Sequence, residues 1–461
     1  MFPGEFLKYT EEVLGNETSS LLAALDGEPP VSVRMNPYKT DSPPISVAGI
    51  DAKGVVPWCR HGRYLHERPS FTFDPLFHAG QYYVQEASSM FVGHILKSVT
   101  GEQEGTRILD LCAAPGGKTT LYSSLAGLDG LVVANEVIRQ RAGILAGNVR
   151  KWGLGNVVVT NNDPSHFAPF REWFDVVAVD APCSGEGMFR KNPETRTEWS
   201  PDNVKMCAAR QRRILAGAWD SLRPGGILIY STCTFNRYEN EDNIAWLAGN
   251  FGCENAGVTV PAGWNIVQTE AGTITCFRFY PHKITGEGFF ACVVRKTGQK
   301  GRPANPKPRR SIFADGAKAE INELRNWVEQ PEVMHFSRIG DNFYCYYEPA
   351  FRDIRTVSEN LNAIHSGICM GQLFGNKLKP DHSLAMFHGL NRNKVSDASL
   401  SLEEAIKYLR REELRDVSLA EGMSLVNFDG APLGWIKRIG GRANNMYPKQ
   451  LAILRQQQHV I

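Results

Sequence analysis

Two cysteines stand just beyond predicted strands in this chain of 461 residues, Cys183 in PCSGEGMF and Cys233 in STCTFNRYEN. A cysteine thiolate is a strong nucleophile, so two thiols in one pocket could make a covalent bond to a substrate and break it again. The ten cysteines of the chain form no CxxC pair and no short repeated spacing. This pattern argues against a disulfide scaffold and a zinc cluster, and we expect no metal site. The alternative for either thiol is a buried free cysteine that acts as a small apolar residue.

Alternating strands and helices from about residue 106 would position these thiols. The predicted strands are nearly all apolar: TRILDLCAA, GLVVANE, NVVVTNND, FDVVAVDAPCSG and ILIYSTCT. Such runs indicate a parallel sheet covered on both faces. A final segment, CFRFYPHKITGEGFFACVVRK, predicts an antiparallel hairpin that closes the sheet. We therefore predict an α/β, Rossmann-like, doubly wound core with small α+β accessory domains at both ends.

A glycine-containing loop, LCAAPGGKTT, joins the first predicted strand to the first helix of this core. Ligands of open α/β sheets bind at the carboxyl ends of the strands, where this loop lies. Gly116 and Gly117 allow a ligand to approach the backbone, and the helix N-terminus favours a negative group such as a carboxylate. The phosphate-binding patterns GxxxxGK[ST] and GxGxxG do not fit the segment.

Acidic residues end the next three predicted strands: Glu136, Asp163 and Asp180. Glu136 is placed to accept hydrogen bonds from both hydroxyls of a ribose, and Asp163 is placed to meet the exocyclic amine of an adenine. A cofactor with amino-acid, ribose and adenine parts satisfies the set, and S-adenosylmethionine has all three. The alternative for each acid alone is a helix cap.

Methyl transfer to carbon gives the two thiols a specific chemistry. C5 of cytosine is not a nucleophile until C6 has been attacked, and a cysteine thiolate can make that attack. A base must then remove the C5 proton so that the thiol can be eliminated. Two thiols and a carboxylic acid at the ends of adjacent strands match these requirements.

The motifs LCAAPGGKTT, DAPCSGEGMF, STCTFNRYEN and PHKITGEGFF resemble those of the RNA cytosine-5 methyltransferases. The resemblance covers about residues 80–296, and the order of N-terminal extension, core and C-terminal modules is similar to that of the bacterial 16S ribosomal RNA members. It implies that Cys233 of the TC[ST] motif is the nucleophile. It also implies that Cys183 assists breakdown of the adduct, and that Asp180 contacts N3 and the amino group of the target cytosine.

The same resemblance implies a set of residues that bind S-adenosylmethionine. They are Cys112, Ala113, Ala114, Pro115, Gly116, Gly117, Lys118, Glu136, Arg141, Asp163 and Asp180. Lys118 could serve the active site instead of the cofactor, and spacing does not decide between the two.

Ribosomal RNA, free or within a 30S subunit, is the expected partner. The loop between the thiols carries Arg190, Lys191 and Arg196, which could clamp the backbone around a base swung out of its stack. Tyr82, Tyr83 and Gln85 are weaker candidates for RNA contact. GWIKRIGGRANNMYPK resembles the end of a PUA-like RNA-binding module, in a C-terminal stretch whose basic residues are Lys437, Arg438, Arg442, Lys449 and Arg455.

Composition sets the remaining expectations. The net charge is only +2, and no apolar run approaches the roughly 20 residues that span a bilayer. We expect a cytoplasmic monomer without membrane contact or an obligate protein partner. The predicted divisions are an N-terminal extension (1–80), the catalytic core (81–297), a proline-rich linker (298–312), a first C-terminal domain (313–380) and a PUA-like domain (381–461). A transfer RNA cytosine-5 methyltransferase, or an RNA-binding ribosome-assembly factor without turnover, remains an alternative.

Overall fold

The computed structural model describes residues 1–40, 46–101, 105–299, 301, 303–414 and 419–454. Arg455 and two positions of the predicted linker, 300 and 302, lie outside these residues. No helix in the described ranges is long and apolar enough to cross a membrane.

The N-terminal region is a five-stranded antiparallel sheet preceded by two helices. Its elements are α1 (Gly4–Leu14), α2 (Thr18–Leu25), β1 (Val31–Met35), β2 (Ser46–Val47), β3 (Ile50–Val56), β4 (Cys59–Leu65), α3 (Pro75–His78) and β5 (Tyr82–Val84). The strand order is β2-β3-β4-β1-β5. Arg34 of β1 is buried, and its guanidinium donates to Thr120 Oγ1 at 2.6 Å and to the Gly117 carbonyl at 3.1 Å. The sheet is thereby attached to the core helix Gly117–Ala126.

The core alternates strands and helices as the sequence predicts. Its elements are α4 (Phe91–Thr100), β6 (Arg107–Asp110), α5 (Gly117–Ala126), β7 (Leu131–Asn135), α6 (Arg139–Trp152), β8 (Val157–Thr160), β9 (Phe174–Asp180), α7 (Thr195–Glu198), α8 (Pro201–Trp219), β10 (Leu222–Thr232), α9 (Glu241–Asn250), β11 (Cys253–Asn255), β12 (Val267–Ala271), β13 (Ile274–Phe279) and β14 (Phe289–Lys296).

The C-terminal region holds two further four-stranded sheets. Its elements are α10 (Lys318–Arg325), β15 (Met334–Ile339), β16 (Asn342–Tyr347), α11 (Glu348–Asn360), β17 (Ala363–Ser366), β18 (Ile368–Phe374), β19 (Lys377–Pro380), α12 (His382–Met386), β20 (Ser396–Ser399), α13 (Leu402–Leu409), β21 (Gly422–Phe428), β22 (Ala431–Ile439) and β23 (Arg442–Asn445). The sheets have the orders β15-β16-β18-β19 and β20-β21-β22-β23.

The central sheet has the order β12-β13-β14-β10-β9-β6-β7-β8-β17, with β11 beside β14. Strands β10, β9, β6, β7 and β8 are mutually parallel, and β14 is antiparallel to β10. The predicted α/β core with a closing hairpin is confirmed. Residues alternate between two apolar layers, Ile108 and Val132 on one face and Leu109 and Val133 on the other. Burial on both faces explains why these strands are almost entirely apolar.

One edge of the central sheet differs from the prediction. Strand β17, from the region predicted as a separate C-terminal domain, pairs antiparallel with β8. An open edge of a parallel sheet exposes unpaired backbone groups, and β17 covers them. The predicted domain boundaries themselves remain a prediction.

Candidate active site

The two thiols lie together at the carboxyl ends of neighbouring strands. Strands β9 and β10 are parallel with Asp180 opposite Ser231, so the residues just beyond them reach the same edge of the sheet. The sulfur atoms of Cys183 and Cys233 are 3.1 Å apart, and the Cys233 backbone N–H donates to Cys183 Sγ at 3.4 Å. Both side chains are half-buried. We call Cys183 and Cys233 the thiol pair.

Cys183 is held in its protonated form. The hydrogen bond to Cys233, followed by burial, raises the pKa of the Cys183 thiol well above its ordinary value. A thiol with a high pKa is a poor nucleophile at neutral pH, but its S–H group remains available as a hydrogen-bond donor. The two members of the thiol pair are therefore suited to different tasks.

An ion pair lies beside the thiol pair. Lys118 Nζ is 2.9 Å from Asp180 Oδ2, and Ser231 Oγ donates to Asp180 Oδ1 at 2.7 Å. Burial lowers the pKa of Lys118, but the opposing effects of Asp180 and Cys233 outweigh it and leave the pKa above its usual value. Lys118 is thus a fixed cation in the neighbourhood of Cys233. The structure brings Cys183, Cys233, Asp180 and Lys118 together, and it places Lys118 in the lining of the neighbouring cleft as well.

The loop of residues 111–118, the cofactor loop, forms one wall of a cleft at this site. Gly116 has φ +113°, which L side chains rarely adopt, and it caps α5. A Cβ on Gly117 would lie 3.3 Å from the Tyr83 ring, so glycine lets the N-terminal sheet close over the loop. The cleft is lined by Tyr83, Val84, Gln85, Glu86, Ser89, Asp110, Cys112, Ala113, Ala114, Pro115, Gly117, Lys118 and Asp180.

The remaining predicted cofactor residues lie outside that lining. Glu136 is only 4% exposed and accepts a hydrogen bond from the Ile138 N–H at 3.0 Å. Arg141 lies 3.5 Å from the Glu136 carboxylate and donates to the Ala114 carbonyl at 3.0 Å, so it connects Glu136 to the cofactor loop.

Asp163 is exposed and caps the helical turn that follows it. Its Oδ1 accepts from the Ser165 backbone N–H at 2.9 Å and from Ser165 Oγ at 2.7 Å. These hydrogen bonds lower the pKa of Asp163. The helix-cap role, one of the alternatives for the strand-end acids, is therefore present at this position.

Asp110 is a residue of the cleft that sequence reasoning missed. It ends β6, is 1% exposed, and accepts a 2.6 Å hydrogen bond from Thr119 Oγ1. Burial is the main cause that raises its pKa to about 7. Its signal in the sequence was an acid at the end of an otherwise apolar strand, the same signal that identified Glu136 and Asp180.

Several residues predicted to contact RNA are instead part of the packing. Arg190 pairs with Glu287 at 3.0 Å with both side chains buried, and Arg196 pairs with Asp26 at 2.8 Å. Both arginines also donate to carbonyls of α2 or its C-terminus, so they attach the N-terminal helices to the core. Lys191 is exposed.

The aromatic candidates are also engaged in the fold. Tyr82 is buried and donates to Asp74, whereas Tyr83 and Gln85 line the cofactor cleft. In the C-terminal module Trp435 and Tyr447 are each 2% exposed, but Lys437, Arg442 and Lys449 are exposed. The basic side chains of that module are available to a phosphate backbone, and these two aromatic rings are not.

No cluster of histidine, cysteine, aspartate and glutamate that could hold a metal ion occurs in the ranges that the structure describes. The polar groups of the cleft instead suit an organic ligand. Backbone groups of the cofactor loop, a helix N-terminus, and the carboxyl groups of Asp110 and Asp180 provide partners for a carboxylate and an amine. Glu136, outside the lining at the end of β7, adds a carboxylate that could accept from hydroxyl groups.

Comparison with known families accounts for most of the chain. Residues 2–87 match the N-terminal domain of 16S rRNA methyltransferase RsmF, residues 97–295 match 16S rRNA methyltransferase RsmB/F, and residues 395–453 match the methyltransferase RsmF PUA domain. Ribosomal RNA small subunit methyltransferase F from Escherichia coli K12 is 31% identical over 98% of this chain and 96% of its own length. The protein of that name from Shigella boydii has the same identity and coverage.

Solved structures agree with the fold. A methyltransferase homologue from Pyrococcus horikoshii superimposes with a TM-score of 0.52 at 29% identity, over 64% of this chain and 95% of its own. NSun6 from the same organism, solved with an S-adenosylmethionine analogue, gives a TM-score of 0.54 at 21% identity, over 65% of this chain and 99% of its own, and supports the fold alone. The thiol pair, the cofactor loop and full-length similarity lead to one assignment: the chain belongs to the RsmF group of the RsmB/F family of S-adenosylmethionine-dependent ribosomal RNA methyltransferases.

Proposed function

We propose that this enzyme methylates C5 of cytosine in 16S ribosomal RNA through a covalent bond between Cys233 and C6 of the base. One observation carries the proposal: two thiols 3.1 Å apart at the ends of adjacent strands, beside a lysine–aspartate ion pair. A methyltransferase that acts on nitrogen or oxygen already has a nucleophilic atom in its substrate. Two thiols at the reaction site are needed only where the target atom has to be activated and then released.

Cys233 is the nucleophile in the first step. Its thiolate adds to C6, which makes C4–C5–C6 an enamine and places negative charge toward N3. Asp180 is positioned to accept a hydrogen bond from the exocyclic amine, and Lys118 beside it supplies positive charge where negative charge develops. Bound S-adenosylmethionine supplies the methyl group as an electrophilic sulfonium.

The second step breaks the bond between the Cys233 sulfur and C6. Loss of the C5 proton to a base restores the C5–C6 double bond as the Cys233 sulfur leaves C6 as a thiolate. Cys183, whose raised pKa keeps its proton at neutral pH, lies at hydrogen-bonding distance from that sulfur. Its S–H group is therefore placed to donate a hydrogen bond that stabilises the departing thiolate, which fits the assignment of adduct breakdown to Cys183.

The cofactor would lie against the cofactor loop. The cleft has a volume of about 180 Å³, below the range of about 300–1,000 Å³ for pockets that enclose a small molecule. We infer that it takes the methionine end, near Asp110 and Lys118. The ribose and adenine would then extend along the strand ends toward Glu136 and Asp163.

The accessory domains give the proposed partner. The relatives from Escherichia coli and Shigella boydii are named for the small ribosomal subunit, and the exposed basic residues of the C-terminal module suit an RNA backbone. We propose 16S ribosomal RNA, free or within the 30S subunit, as the substrate of a cytoplasmic monomer. The N-terminal extension, core, linker and two C-terminal domains keep their predicted boundaries in this proposal.

A pair of substitutions tests the chemistry. Cys233→Ala should abolish methylation, whereas Cys183→Ala should accumulate a covalent protein–RNA adduct that survives denaturing electrophoresis. Normal methylation by both variants would refute the thiol mechanism. Normal folding and RNA binding by the wild-type protein without any methyl transfer would favour the ribosome-assembly factor.

The substrate is tested separately. Bisulfite sequencing of RNA from cells with and without the gene should show a cytosine in 16S ribosomal RNA that loses its methyl group in the deletion strain. A change confined to transfer RNA would instead support the transfer RNA enzyme.

A further inference from the structure

The segment from Ser231 to Asn243 contains a glutamate that does not line the cofactor cleft. Glu239 lies between β10 and α9 and has no exposed surface. Its partners are three neutral groups: the Ser184 backbone N–H, the Gln211 carboxamide and the Asn236 carboxamide. In the described part of the chain no lysine or arginine is paired with this carboxylate.

One oxygen of Glu239 holds the backbone on both sides of Cys183. Oε2 accepts from the Ser184 N–H at 3.0 Å and from Gln211 Nε2 at 2.7 Å. The same Gln211 Nε2 also donates to the Pro182 carbonyl at 3.0 Å. The peptide groups before and after Cys183 are therefore both fixed through a single carboxylate oxygen.

The other oxygen connects this arrangement to the Cys233 loop. Oε1 accepts from Asn236 Nδ2 at 2.8 Å, and Asn236 Oδ1 accepts from the Glu239 backbone N–H at 2.9 Å. Asn236 Nδ2 also lies 2.9 Å from the carboxylate of buried Glu186, which accepts from the backbone N–H groups of Phe235 and Asn236. The two loops that carry the thiol pair are thus joined by buried hydrogen bonds.

The ionised form of Glu239 is costly in this setting. Burial raises its pKa to about 7, despite the hydrogen bonds from Ser184 and Asn236. A buried carboxylate without a cation destabilises a fold relative to a neutral residue. Such a group is expected where the arrangement it fixes matters for function.

We propose that Glu239 is a positioning residue for product release: it holds the Cys183 loop so that the Cys183 thiol reaches the sulfur of Cys233. The inference rests on the proposed covalent mechanism. Glu239 acts on the second half of the reaction, because its hydrogen bonds fix the backbone around Cys183, whereas Cys233 directly follows strand β10, which fixes its position. Displacing a reacting group by about 1 Å can cost about 10²-fold in rate.

The test uses Glu239→Gln in the full-length protein, with S-adenosylmethionine and 30S subunits or 16S RNA from cells that lack the gene. Glutamine has nearly the size of glutamate, but an NH2 group replaces one of the two acceptor oxygens. That NH2 group then faces an N–H donor of Ser184, Gln211 or Asn236, and the hydrogen bond at that position is lost. We expect single-turnover methyl transfer within about threefold of wild type, steady-state kcat lower by about 10²-fold, and accumulation of the covalent adduct.

Glu254→Gln is the matched control, since Glu254 is exposed on β11, and it should behave as wild type. Gln211→Met, which removes the bridge to Pro182, should give the same adduct accumulation to a smaller degree, and it decides the question if Glu239→Gln does not fold.

Product release at the wild-type rate would overturn the proposal. Equal reductions of the single-turnover rate of methyl transfer and of the steady-state kcat would also overturn it. If Cys183→Ala forms adduct but neither Glu239→Gln nor Gln211→Met does, the positioning role fails and the proposed function stands. If Cys233→Ala still methylates, the proposed function itself fails.

Discussion

The ends of β9 and β10 and the ends of β7 and β8 lie on the same edge of one sheet but are built differently. Beyond β9 and β10, the loops that follow Asp180 and Thr232 are joined to each other by buried hydrogen bonds through Glu186 and Glu239. Beyond β7 and β8, Glu136 accepts a hydrogen bond two residues along its own turn, and so does Asp163. The first region is held in place by the fold, as the proposed bond making requires, whereas the second keeps carboxylate oxygens that could serve the proposed cofactor.

This contrast predicts that substitutions at the ends of β9 and β10 lower kcat, whereas those at the ends of β7 and β8 raise the KM for the cofactor.

Lys118→Met should give the largest change. The substitution removes the only cation paired with Asp180 among the described residues, and with it the positive charge beside Cys233. Loss of one electrostatic partner of a developing charge costs about 10²- to 10³-fold in kcat. Steady-state kinetics with saturating cofactor measure this fall in kcat. If Lys118→Met changes only the KM for S-adenosylmethionine, Lys118 binds the cofactor and is not a catalytic residue.

Glu136→Gln should raise the KM for S-adenosylmethionine by about 10- to 100-fold, because each hydrogen bond to a charged acceptor contributes about 1.5–3 kcal/mol. The kcat at saturating cofactor should stay within about twofold of wild type, since Glu136 lies outside the cleft lining shared by Lys118 and Asp180. Isothermal titration with S-adenosylhomocysteine provides an independent measure. A fall in kcat without a change in affinity would contradict the division between the two regions.

Asp110→Asn should change the pH dependence of stability. The pKa of Asp110 is about 7 in the folded protein and 3.8 as the ordinary value, so between these values the folded state binds the proton more strongly than the unfolded state. Stability contributed by this group is therefore greatest at low pH and falls as the pH rises from about 4 to about 7. Asparagine does not titrate, so Asp110→Asn does not lose this stability. The thermal midpoint of the variant minus that of wild type should therefore increase between pH 5 and pH 7.5. A difference in thermal midpoint that stays constant with pH would show that Asp110 does not titrate in this range.

Asp163→Ala should have the smallest effect. Asp163 is exposed, so its hydrogen bond to an adenine amine replaces one to water, and we expect a net contribution of about 0.5–1.5 kcal/mol. This corresponds to an increase in the KM for S-adenosylmethionine of about three- to tenfold. Asp129→Asn, at another exposed aspartate, is the control and should leave the KM unchanged. An unaltered KM in Asp163→Ala would leave only the capping role for this residue.

The parts of the site that were predictable share one property: they follow apolar strands directly. Cys183, Cys233, Asp180 and the cofactor loop could be assigned to one edge of the sheet because parallel strands all present their carboxyl ends there. Glu186 and Glu239 lie deeper in polar loops, where no periodic pattern marks which side chains turn inward.

Charged residues of the loops were the least predictable. Arg190 and Arg196 look like RNA contacts in a polar segment, but both donate to carbonyls at the end of α2. Their carboxylate partners are Glu287 for Arg190 and Asp26 for Arg196. Strand β17 was missed for a related reason: four residues far from β8 in sequence carry no signal for the edge that they cover.

The amino-acid sequence by itself determined the order of strands and helices and the types of residue at the strand ends, because burial on both faces of a sheet imposes an apolar pattern that is local in the chain. Only the tertiary structure decided that Lys118 pairs with Asp180 beside Cys233. It also decided that one oxygen of the Glu239 carboxylate, directly and through Gln211, holds the backbone on both sides of Cys183. These contacts join residues tens of positions apart, and their geometry depends on how the loops close over the sheet, which no local pattern encodes.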